Sequence, residues 1–278
     1  MHELNKHIAK FYNTSTQLWL DVWGEHMHQG FYGKNGDEKK DHQQAQIDLI
    51  TELIKWGHVK EANYILDAGC GVGGSARYFS KKFGAAVKGY TLSHIQAVKA
   101  KEFNLKSGLD NKIEIIEDDM LSLVPGQKKF DLIWSLESAE HISDKAGLLK
   151  LFYESLQPAG KLIIATWCVR PVPPDLTEKE KIIIRHVQHN YHLPPMISID
   201  EFKTLAVAAG FKNVVAEDWS KAVVPFWNAV YSSALKLKSI AGLLKAGWPA
   251  IKGAYTIRYM QKGYRKGTIQ FGVLKAEK

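Results

Sequence analysis

The stretch that most limits what this chain can become is Tyr64-Ile65-Leu66-Asp67-Ala68-Gly69-Cys70-Gly71-Val72-Gly73-Gly74. A short apolar run reads as a buried strand, an acid stands at its carboxyl end, and glycines crowd the turn. Ser75-Ala76-Arg77-Tyr78-Phe79 then opens a helical pattern. Strand, tight loop and helix N-terminus in that order let a ligand's polar groups approach backbone N–H groups.

The rhythm after the loop sets the fold class. Residues 85–91 read as a second strand, Ser93 caps a helix running to about Lys106, and 112–117 is a third strand. A fourth, 130–135, precedes a helix with Leu148, Leu149, Phe152 and Leu156 on one side, and Pro158-Ala159-Gly160 turns the chain into a fifth, 161–167. Segments 178–191 and 200–211 read as helices, the second ending at a glycine cap, and 212–219 and 268–274 as the last two strands. Strands alternating with helices predict an α/β, Rossmann-like, mostly parallel seven-stranded sheet covered on both faces.

Around that core the sequence places three parts: an N-terminal helical lid over 1–60, a cofactor-binding core over 61–170, and a remainder over 171–278 with a helical substrate cap at about 220–267. In the first part, 8–23 looks helical with a break at Asn13-Thr14-Ser15-Thr16, 33–40 reads as a solvated loop, and helical spacing resumes at Ala45.

At 278 residues and 45% apolar content, the chain suits one large domain with a full core. Only Cys70 and Cys168 are present, no signal-peptide core opens the chain, and no apolar run reaches the ~18 residues that cross a bilayer. These features predict a cytoplasmic protein. The net charge of +8 is concentrated: from Trp219 to Ala276 there are ten Lys or Arg and no acid, which leaves the remainder at −2.

A nicotinamide dinucleotide site usually carries G-x-G-x-x-G and an acid about 20 residues on. Here the glycines are Gly69-x-Gly71-x-Gly73, the acid Asp67 precedes them, and the second strand ends in Tyr90-Thr91-Leu92-Ser93 without a carboxylate. Residues 67–75 together with 89–96 resemble a class I S-adenosylmethionine-dependent methyltransferase. Trp134-Ser135-Leu136-Glu137-Ser138-Ala139-Glu140-His141-Ile142, Ala165-Thr166-Trp167-Cys168, and the aromatic and histidine-rich Trp23-Gly24-Glu25-His26-Met27-His28 are similar to its gamma-tocopherol methyltransferase-like group. The resemblance covers about residues 8–168.

It implies S-adenosyl-L-methionine as cofactor, with Gly69, Gly71 and Gly73 admitting its methionine part and Asp67 orienting the loop and the amino group. Thr91 and Gln96 would take the ribose hydroxyls. Asp119 beside Met120, with Asp118 as the neighbouring alternative, would read the adenine amine, and Ser135 would line the site. For Thr91 a turn-capping role stands beside ribose contact.

Glu137, Glu140 and His141 follow the fourth strand, at the carboxyl edge where a parallel sheet binds ligands. His141 is the first choice for a base, because an imidazole titrates nearest the working pH; a structural histidine is the other reading. Glu140 is placed to meet a cationic transition state or an amine. Tyr12, Trp23, His26, His28, Trp167, Trp219 and Trp227 are candidates for the lid or acceptor wall, against a background of ordinary core packing. Two histidines without a nearby Cys or paired acid do not make a metal site, and none is expected.

The acid-free segment, with Phe226, Trp227, Leu235, Leu237, Ile240, Leu243, Leu244, Trp248 and Ile251 among its lysines, admits three readings. They are a solvated face, a peripheral membrane surface through which a lipophilic acceptor enters, and a site for an anionic substrate. Nucleic acid is not expected. The leading expectation is methylation of a tocopherol-like phenol on ring carbon or oxygen. The alternatives are N-methylation of an amine or alkaloid and C-methylation of a prenyl or sterol chain, with a nicotinamide-dependent oxidoreductase or a noncatalytic nucleotide-binding module more remote.

Overall fold

The computed structural model describes residues 3–234 and 248–278, with side chains for 3–229 and 257–278. Seven strands form one sheet in the order β3-β2-β1-β4-β5-β7-β6. They are β1 (Tyr64–Ala68), β2 (Ala86–Thr91), β3 (Ile113–Glu117), β4 (Phe130–Leu136), β5 (Leu156–Val169), β6 (Lys212–Asp218) and β7 (Ile269–Glu277). The first five pair in parallel, and β7 runs antiparallel between β5 and β6. The strand order reverses between β1 and β4, which opens a crevice at their carboxyl ends.

Both sheet faces are buried, because alternate residues of each central strand enter different cores. Ile65, Leu132 and Trp134 join the core that holds Phe79 and Leu49. Leu66 and Ile133 join the one that holds Leu149, Phe152 and Phe202.

The helices are α1 (Glu3–Trp23), α2 (His42–Trp56), α3 (Gly74–Phe83), α4 (His94–Lys106), α5 (Lys145–Ser155), α6 (Glu178–Tyr191), α7 (Ile199–Ala208), α8 (Ser220–Val223), α9 (Pro225–Ala234) and α10 (Trp248–Arg265). Ser93 caps α4 as expected, and Thr177 and Ser198 close reciprocal capping boxes with Glu180 and Glu201 at the starts of α6 and α7.

Three expectations need correction. The first is the break at Asn13–Thr16: α1 is one continuous helix, since the hydroxyls of Thr14, Ser15 and Thr16 bond back to carbonyls one turn earlier. The second is α2, which does not belong to the lid; Ala45, Leu49, Ile50 and Leu53 are fully buried in the core. The third is the turn at Pro158-Ala159-Gly160, which is an interruption within β5: pairing with β4 jumps from Phe130–Leu156 to Leu132–Lys161, and Ala159 takes φ +63°. Of the apolar residues noted in the basic segment, Leu235, Leu237, Ile240, Leu243 and Leu244 lie outside the described residues.

Candidate active site

The loops that follow β1, β2, β3 and β4 surround one cavity of about 960 Å3, counting its mouth. Its wall includes Asp67, Gly69, Gly71, Thr91, Gln96, Asp118, Met120, Ser135, Glu137 and His141, and from the N-terminal segment Tyr12, His26 and His28. The chain therefore brings together most of the residues singled out from the sequence, although they span more than a hundred positions.

The donor end is built by the glycine loop. Gly69 has φ +89°, and a Cβ there would stand 2.2 Å from that of Ser138, so only glycine lets the β1 and β4 loops meet. Asp67 is buried and accepts from the Ala76 backbone, while its Oδ2 has no partner. Burial pushes its carboxyl up to about 7. A buried acid with one free oxygen on the cavity wall suits an ammonium group, and Thr91, Gln96 and Asp118 supply polar groups at the next two strand ends. This set fits the S-adenosylmethionine implied by the resemblance.

Two details differ from the expectation and a third refines it. Gly73 caps α3 in a left-handed conformation and faces Arg77 and Ala100, leaving Gly74 and Ser75 on the cavity wall. Asp119 caps a short 3-10 turn and accepts from Asn5 of α1, so Asp118 is the acid that lines the cavity. Thr91 donates to Gln96 Oε1 at 2.8 Å, so these two act as one unit.

At the other end, Tyr12 Oη meets His141 Nε2 at 2.9 Å, and His141 Nδ1 has no partner. Burial, with Lys145 and His192 nearby, lowers His141 to about 4, so the imidazole is neutral at physiological pH. Glu137 holds φ +50° at the end of β4; its Oε1 accepts from the Gln29 backbone N–H at 2.6 Å and its Oε2 from Trp167 Nε1 at 3.0 Å. Burial and the neighbouring Glu140 push Glu137 up to about 8. Glu140 does not line the cavity. Its Oε2 accepts from Thr166 Oγ1 at 2.7 Å, and burial raises it to about 7.

The N-terminal segment is fastened over the site. Asn13 Oδ1 accepts from Ser93 Oγ and the Ile95 backbone, and Arg77, buried beside the glycine loop, bonds Glu25 at 2.8 Å. Gln46 donates to the backbone oxygens of His26 and His28. The loop lies directly on the first residue of α3: a Cβ on Gly74 would stand 2.3 Å from Glu25 O.

His26 and His28 are lowered to about 4 and about 3 by burial, so both are neutral walls. Among the described residues, no group of three or more His, Cys, Asp or Glu is placed to hold a metal. Trp23, Trp219 and Trp227 do not reach the cavity. Trp23 packs on Phe226 and Trp227, and Trp219 packs on Trp56 and Phe31. Trp167 stands behind Glu137 against Tyr191. Gln29, Met27, Ser138 and Ile8 were not singled out from the sequence. Met27 lies within the aromatic and histidine-rich stretch Trp23–His28 and Gln29 directly follows it, whereas Ile8 and Ser138 carry no signal of their own.

The methyltransferase-domain family profile matches residues 39–216. Tocopherol O-methyltransferase, chloroplastic, of Arabidopsis thaliana is 38% identical over 99% of this chain and 82% of its own length. The 2-methyl-6-phytyl-1,4-hydroquinone methyltransferase of Synechocystis is 30% identical over 91% of this chain and 81% of its own. Among solved structures, geranyl diphosphate C-methyltransferase from Streptomyces coelicolor, in complex with Mg2+, geranyl diphosphate and S-adenosyl-L-homocysteine, aligns with a TM-score of 0.79. It covers 99% of this chain and 98% of that one at 20% identity. The chloroplastic designation of the Arabidopsis relative overturns the cytoplasmic placement read from the sequence.

Proposed function

Because the chain belongs to the methyltransferase-domain family and is an S-adenosylmethionine-dependent enzyme, we propose that it methylates a lipophilic, tocopherol-like phenol on ring carbon or oxygen. The observation that carries this reading is the convergence of Tyr12, Glu137 and His141 on one cavity, with Ile8 and Ile142 on the same wall. When bound, S-adenosylmethionine supplies a methyl group on a sulfonium, and the carbon–sulfur pair stays on sulfur. Asp67, Gly69 and Gly71 hold its amino-acid part, Thr91 and Gln96 the ribose, and Asp118 with Met120 the adenine.

The remaining work is alignment of the acceptor and exclusion of water. The described residues up to 41 form the lid, and those of 171–234 and 248–278 supply the acceptor cap together with the remaining strands of the core. The neutral Tyr12–His141 pair orients the acceptor's polar group, a task that needs no change of charge. The lipophilic acceptor arrives from an anionic membrane surface met by α10, whose Arg258, Lys262 and Arg265 are exposed around a recess.

Incubation with S-adenosylmethionine and a panel of phenols, amines and prenyl compounds, followed by weighing of the products, tests the reading; methylation confined to amines or prenyl chains would falsify it. His141→Ala is expected to lower kcat by about 10- to 100-fold while cofactor affinity stays within about threefold. Loss of cofactor binding would assign His141 a structural role.

A further inference from the structure

Three buried groups at the acceptor end have a claim on the acceptor's proton, and their surroundings separate them. His141 spends Nε2 on Tyr12. Glu140 spends Oε2 on Thr166 and stays off the cavity wall. Glu137 lies on the wall, with each oxygen fixed by one N–H donor and retaining further acceptor capacity.

The placement of Glu137 is imposed by its neighbours. Its own N–H donates to Ala165 O at 2.7 Å, continuing the ladder between β4 and β5, and its backbone is left-handed although it is not glycine. The two donors come from different parts of the molecule, Gln29 from the loop after α1 and Trp167 from β5. Gln29 is itself fully buried, and its side-chain amide donates to Tyr264 Oη of α10 at 2.9 Å. Tyr12, Tyr191 and Tyr264 all lie close enough to feel the Glu137 charge, so aromatic hydroxyls surround it while Glu140 is the neighbouring acid.

We propose that Glu137 is the catalytic residue that takes the hydroxyl proton of the acceptor, and that Gln29 and Trp167 are the positioning residues that hold its carboxyl, an assignment that rests on the phenol reading. The acceptor's O–H bond breaks, its electron pair stays on the acceptor, and the proton forms a bond to a Glu137 oxygen. The pair so freed makes the acceptor's new bond to the methyl carbon. For attack through ring carbon, the ring proton at that carbon is then released to water and Glu137 returns its proton to the oxygen; either route yields one net proton. Burial and Glu140 raise this carboxyl to about 8, which brings its basicity closer to that of a phenolate than an exposed glutamate's, and the carboxylate that takes the proton accumulates as pH rises toward that value. Gln29 belongs to the segment fastened over the site, so part of the hold on the carboxyl is built by that segment.

The test uses Glu137→Gln and Trp167→Phe, with S-adenosylmethionine affinity as the check on folding. In Glu137→Gln, kcat on a weakly acidic phenol is expected to fall by about 100-fold or more. The deficit should shrink at least about tenfold on a nitro-substituted phenol already ionised at the assay pH, which needs no base.

A second readout does not depend on turnover. With S-adenosylhomocysteine present, below the phenol's own pKa, the nitrophenol should bind wild type as the coloured phenolate and Glu137→Gln as the neutral phenol. Trp167→Phe removes one donor to the carboxylate, so the rising limb of its pH–rate profile should move to higher pH, with kcat down about tenfold and KM little changed. Equal deficits on both phenols, or equal phenolate colour in both proteins, would overturn the assignment and leave the phenol reading standing. A wild-type protein that binds S-adenosylmethionine but methylates no phenol would overturn both. Should Glu137→Gln fail to bind the cofactor, Trp167→Phe decides: an unchanged pH limb refutes the proposal.

Discussion

Asp67, Glu137 and Glu140 share an environment that favours the neutral acid, whereas His26, His28 and His141 share one that favours the neutral base. The consequences for stability have opposite signs. A carboxyl raised in the folded state keeps a proton that the unfolded chain releases, so its contribution is greatest at low pH and is lost as pH rises from about 4 to about 8. A lowered histidine works against folding as pH falls from about 6.5 to about 4, because the unfolded chain then gains protons that the fold refuses. Replacing Glu137 by Gln removes the alkaline penalty at that site. The melting temperature of the variant relative to wild type should therefore be higher at pH 9 than at pH 5, by roughly 3–8 °C, and equal differences at the two pH values would count against a buried, proton-holding Glu137. The existence of a charged cluster at 137–141 was legible in the sequence, but its order of importance was not. Reference acidity favoured His141, and only the packing shows that burial lowers the imidazole to about 4 and raises Glu137 to about 8.

Elements were most legible where side chains announce their own boundaries. Ser93, Thr177 and Ser198 cap helices within a residue of the expected starts. The glycine loop connects β1 to α3 as its composition demanded. Misjudgement came where a residue type has two uses. Asn13 to Thr16 look like a break, yet their hydroxyls serve the helix and Asn13 reaches outward to the start of α4. Among the described side chains of α10, Arg258, Lys262 and Arg265 are exposed, a spacing that places them along one stripe, while Ile257, Met260 and Tyr264 are buried. Reversing the three charges to Glu should leave cofactor binding intact and weaken binding to anionic vesicles by about 100-fold at low salt. Cosedimentation measures this. A wild-type protein that ignores such vesicles, or binds neutral ones equally well, would leave the stripe as an ordinary solvated face.

At the scale of the whole molecule, the parallel half of the sheet followed from the alternation of strands and helices, and the cavity followed from the point where the strand order reverses. The way the ends of the chain close on that framework did not. Tyr12 is more than a hundred residues from His141, Gln29 is farther still from Tyr264, and no local pattern records either pairing. The lid loop rests on Gly74 and is tied by Arg77, while α1 is tied to the loops after β2, β3 and β4, so the lid and the donor cradle share their supports. Shared supports of this kind predict an ordered turnover, in which the methyl donor adds first and its demethylated product departs last. Initial-rate analysis should accordingly find S-adenosylhomocysteine competitive against S-adenosylmethionine and noncompetitive against the acceptor, whereas equally tight acceptor binding to donor-free protein would show that the two substrates add in random order.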